Sequence, residues 1–169
     1  MDVRHLIERL GLEPHLEEGG YFRETYRSAG SFEPGGAYDG RRSVSTAIYY
    51  LLTPDTCSAL HRLPGDEIFH FYLGDPVHML LLRPDGAVER PILGPDLETM
   101  RVQQVVPGGT WQGSRLAPGG AWALLGTTMA PGFEPGDYEA GTLDLARAYP
   151  GAAEEIRALL PGSDANGTV

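Results

Sequence analysis

Short apolar runs separated by Gly- and Pro-rich breaks make up most of the chain. They fall at 43–52, 56–62, 68–73, 77–83, 87–93, 102–106, 111–116 and 121–129, with a further strand-like stretch at 21–26. The breaks between them are turn formers, among them Pro64-Gly65-Asp66, Gly74-Asp75-Pro76, Pro84-Asp85-Gly86, Pro107-Gly108-Gly109 and Pro118-Gly119-Gly120. Runs of strand length at this spacing predict an all-β sandwich or barrel, and Pro84-Asp85-Gly86 predicts a hairpin. Helical periodicity shows only at the ends. Val3, Leu6, Ile7 and Leu10 share one face of a short N-terminal helix that Asp2 caps and Gly11 closes. Near the C-terminus, Thr142 is placed to cap a helical piece over 143–148, and 151–160 carries Ile156, Leu159 and Leu160 on one side. The core is expected over 19–140 of a single domain spanning 1–169, with 161–169 a flexible tail.

Two segments depart from simple alternation. The Gly-rich stretch 28–40 has no periodicity, which makes it either a functional cover or a disordered insertion. The run Ile68-Phe69-His70-Phe71-Tyr72-Leu73 is apolar on both faces, so its outer face must meet another element. The N-terminal segment, the C-terminal helix and a second subunit are the candidates. Two small helices cannot cover a whole sheet, so a subunit interface, and with it a homodimer, is expected for part of it.

Charge narrows the partners. The net charge is −10, with 23 acidic and 13 basic residues and no basic run, which excludes a nucleic-acid binder that must neutralise phosphates. The single cysteine, Cys57, cannot form an intramolecular disulfide and points to a reducing compartment. The N-terminus lacks a signal-peptide core and no apolar stretch is long enough to span a membrane, so a cytoplasmic protein is expected.

Candidate chemistry concentrates in two segments. In His61–Gly74 (HRLPGDEIFHFYLG), Glu67 precedes Gly74 with six residues between them; in Pro107-Gly108-Gly109-Thr110-Trp111-Gln112, a polar side chain follows a Gly turn. Strand alternation places Glu67, Phe69 and Phe71 on one face and His70 and Tyr72 on the other. If Glu67 faces inward, Phe69 and Phe71 line the pocket with it and His70 is a core or interface histidine. Only one of Trp111 and Gln112 can enter the pocket. Gln103 and Gln104 are adjacent, so one faces inward; a buried amide must have its hydrogen bonds met, which makes Gln104 a candidate for ligand binding.

These segments resemble the metal-binding motifs of cupins, which read His-x-His, three or four residues, Glu, six residues, Gly, and later Pro-x-Gly-x-x-His. His61, Glu67 and Gly74 match the first, with Leu63 in the second histidine place; Pro107 and Gly109 match the second, with Gln112 in place of histidine. The resemblance implies a metal set of His61, Glu67 and Gln112. An amide oxygen binds transition metals poorly, so the set implies either a weakly held divalent metal or, in preference, a hydrogen-bonded polar cluster without one. Gly19–Tyr26 (GGYFRETY), Ser45–Tyr49 (STAIY), Asp66–Tyr72 (DEIFHFY), Val105-Val106-Pro107, Trp111-Gln112 and Ala130–Phe133 (APGF) occur in this order in the small single-domain cupins long classed as a domain of unknown function, which the chain resembles over about 10–150. That family implies a double-stranded β-helix (jelly-roll barrel), commonly a homodimer, with no established reaction. Similar barrels include sugar-nucleotide epimerases, plant storage proteins and auxin-binding proteins.

Three functions follow. The first is a metal-independent epimerase or isomerase acting on a small carbohydrate-like molecule, with His61 moving a proton and Glu67 orienting it or carrying charge. The second is a binding module for a small polar ligand. The third is a metal-dependent oxygenase or isomerase.

Overall fold

The structure is a computed structural model that describes residues 2–161. Its first element is α1 (Val3–Leu10). Asp2 Oδ1 accepts the Arg4 N–H (3.1 Å), and Gly11, at φ 59°, turns its N–H back onto the last carbonyls. Both ends are the ones the sequence predicts.

Fourteen strands follow: β1 (Glu13–Pro14), β2 (Tyr21–Arg27), β3 (Ser31–Phe32), β4 (Arg42–Ser43), β5 (Thr46–Leu52), β6 (Cys57–Arg62), β7 (Glu67–Gly74), β8 (Val77–Leu82), β9 (Val88–Glu89), β10 (Ile92–Leu93), β11 (Gln103–Val106), β12 (Trp111–Leu116), β13 (Ala123–Met129) and β14 (Glu139–Ala140). Two short helices, α2 (Asp144–Ala148) and α3 (Ala153–Ala158), close the described chain. The tail expected at 161–169 lies, apart from Pro161, outside the described residues.

Twelve of these strands form two sheets that face each other as a jelly roll. One runs β1-β2-β5-β13-β7-β11; the other runs β10-β8-β12-β6-β14, with β9 also paired to β8. All pairings within these sheets are antiparallel. Between the sheets lies an apolar core that includes Tyr50, Leu52, Phe69, Met79, Leu81 and Leu125. The outer faces are covered separately. Leu6 of α1 packs on Leu51 and Leu124 of the first sheet, while Ala146 of α2 and Ile156 of α3 pack on Leu60, Leu80 and Leu82 of the second.

Three predicted runs are divided. The run 43–52 breaks after Ser43, because Arg42–Ser43 pairs with Ser31–Phe32 in a separate two-stranded ribbon. That ribbon anchors Ser31–Phe32 of the Gly-rich stretch 28–40. The run 87–93 is split by Arg90-Pro91; proline has no N–H to give a ladder, although its carbonyl still accepts from Met79 (3.0 Å). In the C-terminal piece, a 3₁₀ turn at Pro150–Ala152 precedes α3. Thr142 does not cap α2, whose N-cap position is Leu143.

Neither helix covers the outer face of β7. Tyr72 stays 45 % exposed and Leu73 53 %, beside exposed Val102 and Val105. His70 on this face is tied locally: the Gln103 amide donates to its Nδ1 (3.3 Å), so its Nε2–H donates to the Thr128 hydroxyl (3.1 Å). No helix among the described residues is long and apolar enough to cross a membrane.

Candidate functional site

His61, Glu67 and Gln112 meet inside the barrel. Gln112 on β12 stands opposite His61 on β6, and Glu67 starts β7 in the facing sheet. The Gln112 Nε2 donates to Glu67 Oε2 (2.7 Å) and to His61 Nε2 (3.3 Å). His61 Nδ1 lies 2.8 Å from the Ala59 carbonyl, which can only accept, so the ring's proton is on Nδ1 and Nε2 presents a lone pair. A register shift between Gln112 and Ser114 lets Ser58 and His61, three residues apart, both point inward. All three members of the cluster are buried: His61 is 1 % exposed, Gln112 2 % and Glu67 7 %.

Burial pushes the Glu67 carboxyl above its ordinary range, and the nearby Glu18 charge adds to this; His61, the Thr127 hydroxyl and the Gln112 amide pull the other way. The Tyr138 ring stacks on His61 (5.1 Å between centroids, 19° between planes). Burial, followed by Glu18 and Glu17, raises the Tyr138 phenol well above its usual value, so it stays protonated. His61 and Glu67 border a cavity of about 500 Å³, whose walls also include Glu18, Phe22, Thr127 and Tyr138.

Glu18 and Tyr138 are the site residues that sequence reasoning missed. Glu18 enters from the β1–β2 connection and takes the Ser58 hydroxyl on Oε1 (2.5 Å), while its carbonyl accepts the Ala59 N–H (2.7 Å). Gly19 makes this approach possible: it sits at φ +89°, and a Cβ there would lie 2.4 Å from the Cys57 carbonyl oxygen. Glu17-Glu18-Gly19-Gly20 therefore held a readable signal, a carboxylate beside glycines that mark close backbone contact. Tyr138 follows the 3₁₀ turn Pro135–Asp137 and has no comparable mark.

Other expected residues lie elsewhere. Phe69 and Phe71 face inward but pack in the apolar core, and neither borders the cavity. Gln104 is buried and satisfied within the protein: Arg101 Nη1 donates to its Oε1, and its Nε2 donates to the Val105 carbonyl (2.7 Å). Of the Trp111–Gln112 pair, Gln112 points inward; Trp111 packs outside with the C-terminal helices and under the Arg62 guanidinium (4.7 Å).

The cluster can be tested against the divalent metal that the motif resemblance implies. A metal site needs lone pairs of the imidazole, carboxylate and amide aimed at one point. Here the amide turns its NH₂ toward the other two groups. Reversing it would set Oε1 against a carboxylate oxygen and an imidazole lone pair, both acceptors. Among the described residues, no group of three or more His, Cys, Asp or Glu side chains is placed to hold an ion. The donor set does not fit a divalent ion as arranged; it is a hydrogen-bonded cluster.

A two-sheet jelly roll with a polar cluster inside one end defines a cupin-type barrel. The chain belongs to the family described as Cupin superfamily (DUF985), which it matches over residues 4–141. It is 35 % identical over 148 residues to the uncharacterized protein YML079W of Saccharomyces cerevisiae, covering 80 % of this chain and 73 % of that one. A hypothetical protein from Leishmania major superposes with a TM-score of 0.86 at 31 % identity, covering 95 % of this chain and 99 % of that one. Protein SO0799 from Shewanella oneidensis gives 0.84 at 31 %, covering 95 % and 98 %. A dTDP sugar isomerase from Desulfovibrio desulfuricans G20 shares the fold alone, with 16 % identity and a TM-score of 0.53 over 78 % of this chain and 86 % of that one.

Proposed function

We propose that the cavity binds a small polar, carbohydrate-like molecule, and that the protein acts on it as a metal-independent epimerase or isomerase. The observation that carries this reading is the His61 tautomer: a buried imidazole with its lone pair on Nε2, at the wall of a cavity, beside a carboxyl group held above its ordinary range. In such a reaction the Gln112 N–H, 3.3 Å from Nε2, gives way and Nε2 takes a proton from the carbon next to a carbonyl. The imidazolium formed is held by the Ala59 carbonyl on Nδ1. The negative charge left on the substrate oxygen is met by a proton donor, a part that burial favours for Glu67 by holding its proton more tightly than an exposed carboxyl does. Returning the proton from His61 to a neighbouring carbon on the same face isomerises the substrate, while inversion requires water in the cavity to supply a proton to the opposite face. The dTDP sugar isomerase lends the fold as background, and the chemistry rests on the site.

The test is proton exchange in deuterated water with a panel of keto-sugars, followed by NMR. Wild-type protein is expected to wash out the signal of the carbon-bound proton, and His61→Asn to slow this by at least about 100-fold. Binding without any exchange would leave the second reading, a non-catalytic binding module. Activity lost on chelation and restored by a divalent ion would favour the metal-dependent reading instead.

We propose further that the protein is a cytoplasmic homodimer. Its single cysteine, Cys57, is free. Exposed Tyr72, Leu73, Val102 and Val105 on the uncovered face of the first sheet support pairing with a second copy. Light scattering should report a dimer that Val105→Glu dissociates; a wild-type monomer would remove this part.

A further inference from the structure

We infer that the cavity selects against phosphorylated and other anionic ligands and takes a molecule rich in hydrogen-bond donors, an ammonium-bearing one ahead of its neutral counterpart. This rests on the reading of the cavity as a small-molecule site and deepens it. The charged side chains on its wall carry the argument. Glu17, Glu18, Glu24 and Glu67 supply carboxyl groups, and Arg27 is the one basic residue besides the histidines among the described lining residues. Both histidines have tautomers set by neighbours: His61 donates from Nδ1 to Ala59, and His15 accepts the Glu18 N–H on Nδ1 (3.0 Å).

Arg27 offers little to a phosphate, because the protein already engages its donors. Nε donates to Glu24 Oε1 (3.0 Å), Nη2 to Glu24 Oε2 (2.8 Å) and the Phe133 carbonyl (3.0 Å), and Nη1 to Glu134 Oε1 (2.7 Å) and the Ser43 hydroxyl (3.5 Å). An arginine holds five N–H donors, and all five are accounted for. A second hollow, which shares Leu63 and Tyr138 with the cavity, is bordered by Arg42 and Arg62. Both are paired with carboxylates, Arg42 with Asp137 (2.6 Å) and Arg62 with Glu139 (2.5 Å), although the buried Arg42 Nε has no partner. All 13 basic residues of the chain are arginines, so no lysine can stand in.

Glu18, by contrast, has capacity to spare. It takes Ser58 on Oε1, while its Oε2 lies 3.9 Å from His15 Nε2, beyond hydrogen-bond distance. Deeper in, Gln112 Oε1 is a buried acceptor without a partner, on the amide that joins Glu67 to His61. Like charge on Glu18 is one cause of the raised Glu67 pKa, and a ligand cation would relieve it. Phe22 and Tyr138 supply aromatic surface for the rest of such a ligand.

Calorimetric titration of the purified chain with glucosamine, glucose and a glucose phosphate tests the charge preference on one scaffold. Ethanolamine and inorganic phosphate serve as non-carbohydrate probes. Glucosamine should bind about tenfold more tightly than glucose, with the phosphate form at least tenfold weaker than either. Glu18→Gln should bring glucosamine and glucose to equal affinity. The double variant Glu24→Gln/Glu134→Gln, which frees Arg27, should gain affinity for the phosphate form. Equal affinity for the three sugars, or tighter binding of either phosphate, overturns the inference while leaving the carbohydrate reading in place. Binding of ethanolamine with none of the sugars upholds the charge preference and removes the carbohydrate reading. Silence from all the probes overturns both.

Discussion

The two ends of the barrel interior are built from the same strands and differ in kind. On β13, Ala123 and Leu125 close one end, while Thr127 and Met129 face the cavity at the other. On β5, Tyr50 and Leu52 belong to the core and Thr46 to the cavity wall; on β7, Phe69 belongs to the core and Glu67 to the wall. Strands from both sheets thus change from apolar to polar toward the same end, where β12 contributes Gln112 and β6 contributes His61. The closed end holds the sheets together through buried apolar area. The open end keeps a carboxyl group and an imidazole away from water, an arrangement that costs stability and is expected where chemistry needs it.

The largest test removes the closed end's anchor. Phe69→Ala should cost about 3–5 kcal/mol in urea unfolding, because the cavity it leaves adds to the lost burial. A cost near that of a surface change would show that the core does not hold the sheets together. Next comes a buried ion pair that borders the neighbouring hollow. Arg42 and Asp137 are 3 % and 6 % exposed, so Arg42→Ala strands a buried carboxylate and should cost about 3 kcal/mol. A loss under about 1 kcal/mol would show that the pair behaves like one exposed to solvent.

The opposite sign is expected further inside. Ser114 Oγ is buried without a partner, so Ser114→Ala should stabilise the protein by up to about 1 kcal/mol. Marked destabilisation would show that this hydroxyl is satisfied in solution and belongs to the supporting core.

The subtlest effect is a pH dependence. The folded Glu67 carboxyl titrates above its ordinary value of 4.5, so the stability tied to its protonated form is complete below that pH. It is lost as the pH rises through the folded value. Glu67→Gln does not titrate, so its unfolding free energy should match the wild type's in acid and exceed it increasingly toward neutral pH. An unchanged difference across that range would place Glu67 in ordinary, well-solvated surroundings.

The fold was legible because its signals are local. Alternation and turn formers located the main strands, and Asp2 and Gly11 marked both ends of α1. The misreadings also have local causes: Pro91 divides a run that looks continuous, and Ser43 leaves its run to pair with Ser31. At the site, motif spacing located His61, Glu67 and Gln112. It could not show that Phe69 and Phe71 lie below the cavity floor, since inward direction says nothing of depth along the barrel. Nor could it show that Arg101 and the Val105 carbonyl already satisfy Gln104.

By itself the sequence determined which segments become strands, where they turn, and that two histidines of the cupin motif are replaced, here by Leu63 and Gln112. These follow from backbone sterics and period-two burial, which act between near neighbours along the chain. Only the tertiary structure decided that Glu18 docks on Ser58, that Tyr138 lies on His61, and that Gln112 turns its NH₂ between an imidazole and a carboxylate. Those contacts join residues from separate strands and loops, and they exist only once two sheets face each other at a fixed distance. The chemistry of the cavity is therefore a property of the closed barrel rather than of any segment in it.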